Sequence, residues 1–378
     1  MHIGLNLLYA SPAIGGAWRY IRNVLEMIAK YDYQNSYSLF VYDGNQLPLA
    51  ARAPRLELHF VHQPPVASRW IRVFHEQTEI PRLAGLAGCA LVHSFGNVAV
   101  LRRGIHNVVT VHDLKPYDRN ERRFPSARDL YVRAFLPASL RKSDPVLPVS
   151  QFTASAIQAR FRIEAKKVIT VPNIVDDRFH RSTAAEITRL RERWQLPPNF
   201  WLYVANFYPH KNHEGLVLAY ERYRRRTRQE AWPLVLCGAP ALEYGRIRGL
   251  ASRLGLEADV QFVNGLSDAE MAVLYSAASA LVFPSKYEGF GIPLLEAMAC
   301  ACPIAASDIP AVRELARESA IRFHPESVES ISDAMCQLQQ DAARRTALAE
   351  GGQKTAERYR DSVIIERLMD AYERRGRA

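Results

Sequence analysis

Apolar residues in this chain come in short, nearly unbroken runs, each followed by a polar loop and a stretch of helical periodicity. MHIGLNLLY opens as a strand that stops at Ser11-Pro12, and the loop from Ala10 to Gly16 leads into a helix from Trp18 to Tyr31. SYSLFVYD and LELHFV read as the next two strands, a helix follows from Ser68 to Leu86, and then come CALVHS and NVVTVHD. DPVLPVS, the helix FTASAIQARF and a further strand in KVITVPNIVDDRF complete the first half. Such runs predict strands buried on both faces, and their alternation with helices predicts a parallel sheet covered on both sides. A linker is expected near Asp177 to Ser182, after which the pattern restarts with a helix from Glu186 to Trp194 and the strand FWLYVAN. PHKN then opens a helix running through Leu216 to Arg228, PLVLCG, VQFVNG and ALVFP are strands, and the chain is helical from Ser327 onward. The expected organisation is two α/β domains, 1–180 and 181–358, with an amphipathic last segment, 359–378, packing back on the first.

Composition narrows this picture. A chain of 378 residues with 48% hydrophobic content has material for two cores. The start lacks a basic region and a long apolar core, so no signal peptide is expected. Leu83 to Leu101 carries no charge and has the length of a membrane span. Its Gly85, Gly88, His93, Ser94, Gly96 and Asn97 favour instead a helix end followed by the strand Cys89 to His93. Five cysteines without CxxC spacing read as buried thiols of a cytoplasmic protein. The net charge of +10 is unevenly placed, because residues 1–180 hold 23 basic against 14 acidic side chains and the remainder is nearly balanced. Arg102-Arg103, Arg119, Arg122-Arg123, Arg128, Arg133 and Arg141-Lys142 carry the surplus. With no nucleic-acid motif present, the expected partner is an anionic membrane surface or a lipid phosphate. The basic, aromatic stretch from Pro116 to Asp144, helical from Ser126, suits such a surface, though a helix packed on its own domain gives the same pattern.

Ligands of parallel α/β sheets bind outside the carboxyl ends of the strands, and four such ends hold candidate chemistry. Gly15-Gly16 lets the backbone approach a phosphate just before a helix start. His112 can bond a hydroxyl, move a proton or merely end its strand. His210-Lys211-Asn212 puts a compact cation at a helix start, suited to a diphosphate. The fourth, ALVFPSKYEGFGIPLLEAMACACPI, combines a strand, a loop with Gly289 and Gly291, and a helix entered at Pro293. Glu288 and Glu296 frame it, and each carboxylate can accept from sugar hydroxyls. There is no Asp-x-Asp pair or His/Cys cluster of metal spacing, so neither metal nor cofactor is expected. No P-loop, nucleophile elbow or GxGxxG occurs, which removes support for a nucleotide hydrolase, a serine hydrolase and a dinucleotide dehydrogenase.

These residues match a known pattern. GGAWRY, TVHDLKPYDRNERRF, PVLPVSQFTASAI, YVANFYPHKN, the segment VNGLSDAEMAVLYSAASALVFPSKYEGFGIPLLEAMAC and ASDIPAVREL occur in order over nearly the whole chain. The chain resembles the family-four retaining glycosyltransferases, whose GT-B fold is two facing Rossmann-like domains with a cleft between them. The resemblance implies that Glu288, helped by the N–H groups of Gly289, Phe290, Gly291 and Ile292, holds the transferred sugar, and that Glu296 holds the nucleotide ribose. It implies Lys211 on the diphosphate, with Gly15 and Gly16 approaching from the other domain, and His112 beside the reacting sugar. Retention of anomeric configuration, by attack from the face the diphosphate leaves, is likewise an implication of the resemblance.

Four positions depart from the family pattern: Ala205 and Asn206 stand where a glycine and an arginine are common, Ile174 replaces a turn glycine, and Ala301 replaces the glycine after AMAC. Asn206 stays in the candidate donor site but cannot neutralise phosphate, which leaves more to Lys211. NFYPHKN resembles members that move mannose or rhamnose units in polysaccharide and O-antigen assembly, favouring a GDP-linked donor. The resulting expectation is a cytoplasmic, peripherally membrane-bound hexosyltransferase acting on a lipid-linked or oligosaccharide acceptor. A nucleotide-sugar epimerase and an inactive nucleotide- or glycan-binding relative are the alternatives.

Overall fold

The computed structural model describes residues 1–11, 15–43, 55–62, 69–102, 104–117 and 127–374. Pro12, Ser68, Phe124 and Ser126 lie outside them, as do Arg103, Arg119, Arg122 and Arg123 of the basic group. The chain divides into two compact units, Met1–Ile174 with Asp361–Ala378, and Val175–Arg360.

In the first unit the order is β1 (His2–Asn6), α1 (Gly16–Tyr31), β2 (Ser36–Tyr42), β3 (Leu56–Val61), α2 (Arg69–Leu86), β4 (Leu91–Ser94), β5 (Asn107–Val111), α3 (Ala127–Lys142), β6 (Ser143–Pro148) and α4 (Gln151–Phe161). In the second unit α5 (Ala184–Trp194) and β7 (Trp201–Val204) are followed by α6 (His213–Thr227), β8 (Leu234–Cys237), α7 (Tyr244–Arg253), β9 (Val260–Val263), α8 (Asp268–Ala277) and β10 (Ala280–Phe283). It continues with α9 (Ile292–Ala299), β11 (Ile304–Ser307), α10 (Pro310–Ala316), β12 (Ile321–Phe323), α11 (Val328–Gln340) and α12 (Ala342–Ala356). The last helix, α13 (Asp361–Glu373), belongs to the first unit.

Each unit holds a six-stranded parallel sheet, ordered β3-β2-β1-β4-β5-β6 in one and β12-β11-β10-β7-β8-β9 in the other. Counted from each unit's own first strand, both read 3-2-1-4-5-6, the doubly wound order, with its direction reversing between strands one and four. The switch points therefore lie at β1/β4 and at β7/β10. The strands are as apolar as the sequence suggests: β5 and β10 are buried at every position.

Two expectations need correction, and one left open is decided. KVITVPNIVDDRF is not a strand; Ile169 and Val171 donate to the Val146 and Pro148 carbonyls, but Pro172 has no N–H and the pairing with β6 goes no further. The helical tail is broken into α11, α12 and α13. Of the two readings of α3, its apolar side follows the second, packing on its own domain: Tyr131, Val132, Leu136 and Leu140 join a core with Val109, Val111 and Ile157.

α13 packs on α1. Lys30 and Tyr31 both reach Asp361, at 2.9 and 3.1 Å, and the Tyr372 hydroxyl pairs with His93 at 2.7 Å. None of the five cysteines forms a disulfide, and four of them are buried. Among the described residues no helix is long and apolar enough to cross a membrane.

Candidate active site

The second unit gathers its chemistry at the β7/β10 switch point. Beyond β7 a single 3-10 turn, Pro209–Lys211, ends at Asn212, whose φ of 58° and ψ of 39° place it in the left-handed region that asparagine tolerates. Its side-chain amide donates to the Pro284 and Pro325 carbonyls at 3.2 and 2.7 Å. The buried Tyr203 hydroxyl donates to the Lys211 carbonyl at 2.7 Å and lies 3.2 Å from Ser285 Oγ. Lys286 N–H donates to the His210 carbonyl at 2.8 Å. The loops after β7 and β10 are thus laced together, with one consequence for function: Lys211 Nζ stands 2.6 Å from Glu288 Oε1, the two side chains 18% and 11% exposed.

Three residues after Glu288, Gly291 caps α9 with φ 104° and ψ 53°, a conformation that needs glycine. Ile292 is the first helical residue and Pro293 the second, one position later than the sequence predicts. In the first turn Pro293 has no N–H, and the Leu294 and Leu295 N–H groups donate to the Gly291 carbonyl, so Ile292 supplies the one α9 N–H outside the helix's own bonding. Glu296 is buried inside α9, where Oε2 accepts from the Tyr275 hydroxyl at 3.1 Å. Phe290 is also buried and stacks edge-on against Tyr359 at 5.6 Å. Asn206, half-buried after β7, accepts from Ala239 N–H at 3.1 Å and so ties the β7 loop to the β8 loop. Next to that tie, a Cβ on Gly238 would collide with the Ala205 carbonyl. Lys211 and Glu288 are therefore in direct contact, while Asn206 and Glu296 are each engaged by a protein partner of their own.

The departures from the family pattern have distinct outcomes. Ala301 takes φ 55°, and the Ala301 and Cys302 N–H groups donate to the Met298 and Ala297 carbonyls, closing α9 with a Schellman motif on a residue that has a Cβ. Ile174 has no positive φ and needs no glycine.

In the first unit Gly15 caps α1 with φ 63° and ψ −121°, and the exposed Gly16 begins the helix. His112, just past β5, has Nε2 at 2.8 Å from the Phe95 carbonyl, and its backbone N–H donates to Asn97 Oδ1 at 2.8 Å. A carbonyl only accepts, so Nε2 carries the proton and Nδ1 is the acceptor. Burial pushes the imidazole pKa down to about 4, against the upward pull of Asp113 and the Phe95 carbonyl, and the charge of Arg128 adds to the lowering. Tyr20 packs edge-on against the ring at 5.2 Å. His112 is thus a neutral hydrogen-bond acceptor at neutral pH.

Asn212 stands in the sequence reading beside Lys211; Tyr203 and Gly238 are site-building residues absent from it. Each acts on another strand's loop, and only the left-handed turn at Asn212, in PHKN just before a helix, leaves a local trace. Of the basic group, the Arg133 and Lys142 side chains bond the Pro116 and Leu101 carbonyls. Among the described residues no group of three or more His, Cys, Asp or Glu side chains is arranged to hold a metal ion.

Two family models match, Glycosyltransferase Family 4 over residues 14–179 and Glycosyl transferases group 1 over residues 186–355. O-antigen chain mannosyltransferase B of Escherichia coli is 31% identical over 246 residues, 65% of this chain and 64% of that protein. O-antigen chain mannosyltransferase RfbU of Salmonella typhimurium is 27% identical over 256 residues, 65% of this chain and 66% of that protein. Both matches span less than two thirds of the relative's own length. Among solved structures, sucrose-phosphate synthase from Thermosynechococcus elongatus superposes with a TM-score of 0.80 at 22% identity, covering 99% of this chain and 98% of that one. With the two units matched in turn by these paired models and the fold matched end to end, the chain belongs to the family-four glycosyltransferases of GT-B fold.

Proposed function

We propose that this chain transfers a hexose, mannose first among the candidates, from a GDP-linked donor to a lipid-linked saccharide during cell-surface polysaccharide synthesis. The observation that carries the reading is the Lys211–Glu288 pair, one cation and one carboxylate held in contact at a strand-end switch point. A nucleotide sugar presents the complement of that pair: a diphosphate for the ammonium and hydroxyls for the carboxylate. In this reading Lys211 and the Ile292 N–H at the start of α9 meet the charge that grows on the diphosphate as the glycosidic bond breaks. The neutral His112 accepts from a sugar hydroxyl through Nδ1. The departing phosphate takes the acceptor's proton as the acceptor enters from the same face, so configuration is retained with no metal required. Mannose is favoured because two relatives carry the name O-antigen chain mannosyltransferase. The basic first half and a lipid-linked acceptor favour residence at the inner face of the membrane.

Calorimetric titration with GDP, UDP, ADP and TDP, followed by the sugars of whichever binds, tests the donor. GDP is expected to bind at least tenfold tighter than the others, and GDP-mannose to support transfer with retained anomeric configuration by NMR. Equal affinity for all four would remove the GDP assignment. A donor whose sugar changes without being transferred would select an epimerase.

A further inference from the structure

His93 is a polar side chain in the middle of the first unit's core. It lies in β4, between β1 and β5 in the sheet, where every position of the strand is buried, and its imidazole has no exposure to solvent. A ring so placed is costly unless its nitrogens find partners. Both do, on different elements: Nδ1 is 2.7 Å from the Tyr372 hydroxyl on α13, and Nε2 is 2.8 Å from Thr110 Oγ1 on β5. Thr110 in turn donates to the buried Tyr20 hydroxyl on α1, a long bond at 3.5 Å. With the Thr110 proton so used, its oxygen accepts from His93 Nε2–H, and Nδ1 accepts from Tyr372. Burial, with the nearby His112 adding to it, lowers the His93 pKa to about 3, so this order of donors holds at neutral pH.

What the clamped ring touches is the support of His112. The His93 and Phe95 rings lie 4.1 Å apart, centre to centre, and the Phe95 carbonyl accepts from His112 Nε2–H at 2.8 Å. The Tyr20 ring, whose hydroxyl ends the chain of bonds, stands edge-on to the His112 ring at 5.2 Å. Two of the contacts that orient His112 therefore rest on groups that His93 holds, one through Phe95 and one through Thr110 and Tyr20. An apolar side chain could fill the same core position, but it would fix no direction between α13 and β5.

We infer that His93, clamped between Tyr372 and Thr110, is a positioning residue for His112, and that α13 thereby sets the orientation of the His112 ring. Holding both nitrogens stops the His93 ring from turning, so the Phe95 ring and carbonyl keep one place. Loss of the Tyr372 hydroxyl leaves Nδ1 buried without a donor and lets the ring turn. The task of the positioned His112, accepting from a sugar hydroxyl, rests on the proposed function; the clamp itself does not.

The test compares variants of the full chain by the His112 ring signals in NMR, by titration with GDP, and by kcat and donor KM for transfer from GDP-mannose to octyl mannoside. Tyr372→Phe keeps the ring and removes one hydroxyl. It is expected to shift and broaden the His112 signals and to lower kcat about tenfold, a fraction of the roughly hundredfold cost of a 1 Å misplacement. Donor KM and GDP affinity should stay within twofold. Tyr31→Phe, which removes the hydroxyl that meets Asp361 at the other end of α13, should leave the His112 signals in place. At Thr110 positioning and packing predict opposite orders, because Thr110→Val keeps the volume and loses the hydroxyl, whereas Thr110→Ser keeps the hydroxyl and loses a methyl group. The clamp requires Thr110→Val to disturb His112 more than Thr110→Ser does. Native His112 signals in Tyr372→Phe would overturn the inference, as would equal shifts from Tyr31→Phe or a larger disturbance from Thr110→Ser than from Thr110→Val. Signals that move as expected in a protein that transfers no sugar would instead count against the proposed function and leave the clamp standing.

Discussion

Contact between Lys211 and Glu288 makes opposite predictions for the two halves of a nucleotide sugar. Without ligand, the ammonium and the carboxylate neutralise each other at 2.6 Å. A diphosphate has to draw Lys211 away from Glu288, so the carboxylate competes with it. Glu288→Gln removes the competitor, and a nucleoside diphosphate without sugar should bind about two- to fivefold tighter, the roughly 0.5–1 kcal/mol of a partly exposed pair. The same substitution weakens the acceptor for the sugar hydroxyls, and turnover of the full donor should fall roughly a hundredfold. Lys211→Met should lower both, turnover by about 10²–10³, corresponding to roughly 3–4 kcal/mol of charge stabilisation. It should also destabilise the fold by about 1–3 kcal/mol, because the Glu288 side chain, only 11% exposed, loses its cation. The double variant Lys211→Met/Glu288→Gln is the decisive one: the urea midpoint should return toward native while turnover stays low. A pair that merely braced the loops would recover both together. The reasoning fails if the double variant turns over near the native rate, or if Glu288→Gln weakens GDP as much as Lys211→Met does.

Other consequences are independent of the substrate. Ala301→Gly should raise stability by about 0.5–1 kcal/mol in urea unfolding, since roughly 1–2 kcal/mol of left-handed strain is relieved against the entropy of a glycine; turnover should not change. Gly238→Ala should drop the thermal midpoint and GDP affinity together because its Cβ meets the Ala205 carbonyl, whereas Gly245→Ala, with open space around its Cβ, should leave GDP affinity alone. His93, His112 and His213 are held neutral, burial being the first cause in each, with pKa values lowered from 6.5 to about 3, 4 and 3. Protons then favour the unfolded chain: the stabilisation is complete above about pH 6.5 and is lost as pH falls, by about 2 kcal/mol per histidine between pH 7 and pH 5. Urea midpoints at the two pH values check this, and His93→Gln should flatten the dependence.

What could be read in the sequence follows from how local each feature is. Strands buried on both faces leave apolar runs, so β1, β5, β7 and β10 stand out, and the residues just past them, Gly15, His112, Lys211 and Glu288, become candidates by position alone. KVITVPNIV has the same apolar character but lacks a continuous partner, and a partner is what the sequence does not display. The amphipathic look of α3 is equally local. Which surface its apolar side meets is a tertiary fact, and here Val109 and Ile157 lie in that core. Tyr203 reads as one more apolar strand residue, yet its hydroxyl holds the Lys211 carbonyl across a loop.

The two units use one topology for opposite electrostatic ends. At β7/β10 the opposed charges are nearly shielded from water and already touching, so a ligand that supplies both complements exchanges partners instead of creating new charge, and the cost of desolvating it is small. At the β1 and β4 ends a buried histidine stands between an anion and a cation and is held neutral: burial lowers the His112 pKa, Asp113 pulls it up and Arg128 adds to the lowering. A neutral imidazole there is first a consequence of burial, because a charged ring would lose its hydration; the pull of Asp113 does not offset this, and the Arg128 charge adds to it. That neutrality leaves His112 Nδ1 able to accept from a hydroxyl, which a protonated imidazole could not do. Replacing Arg128 with Gln should therefore raise the His112 pKa by reducing repulsion, a shift that NMR titration of the ring can measure; a fall would contradict this account.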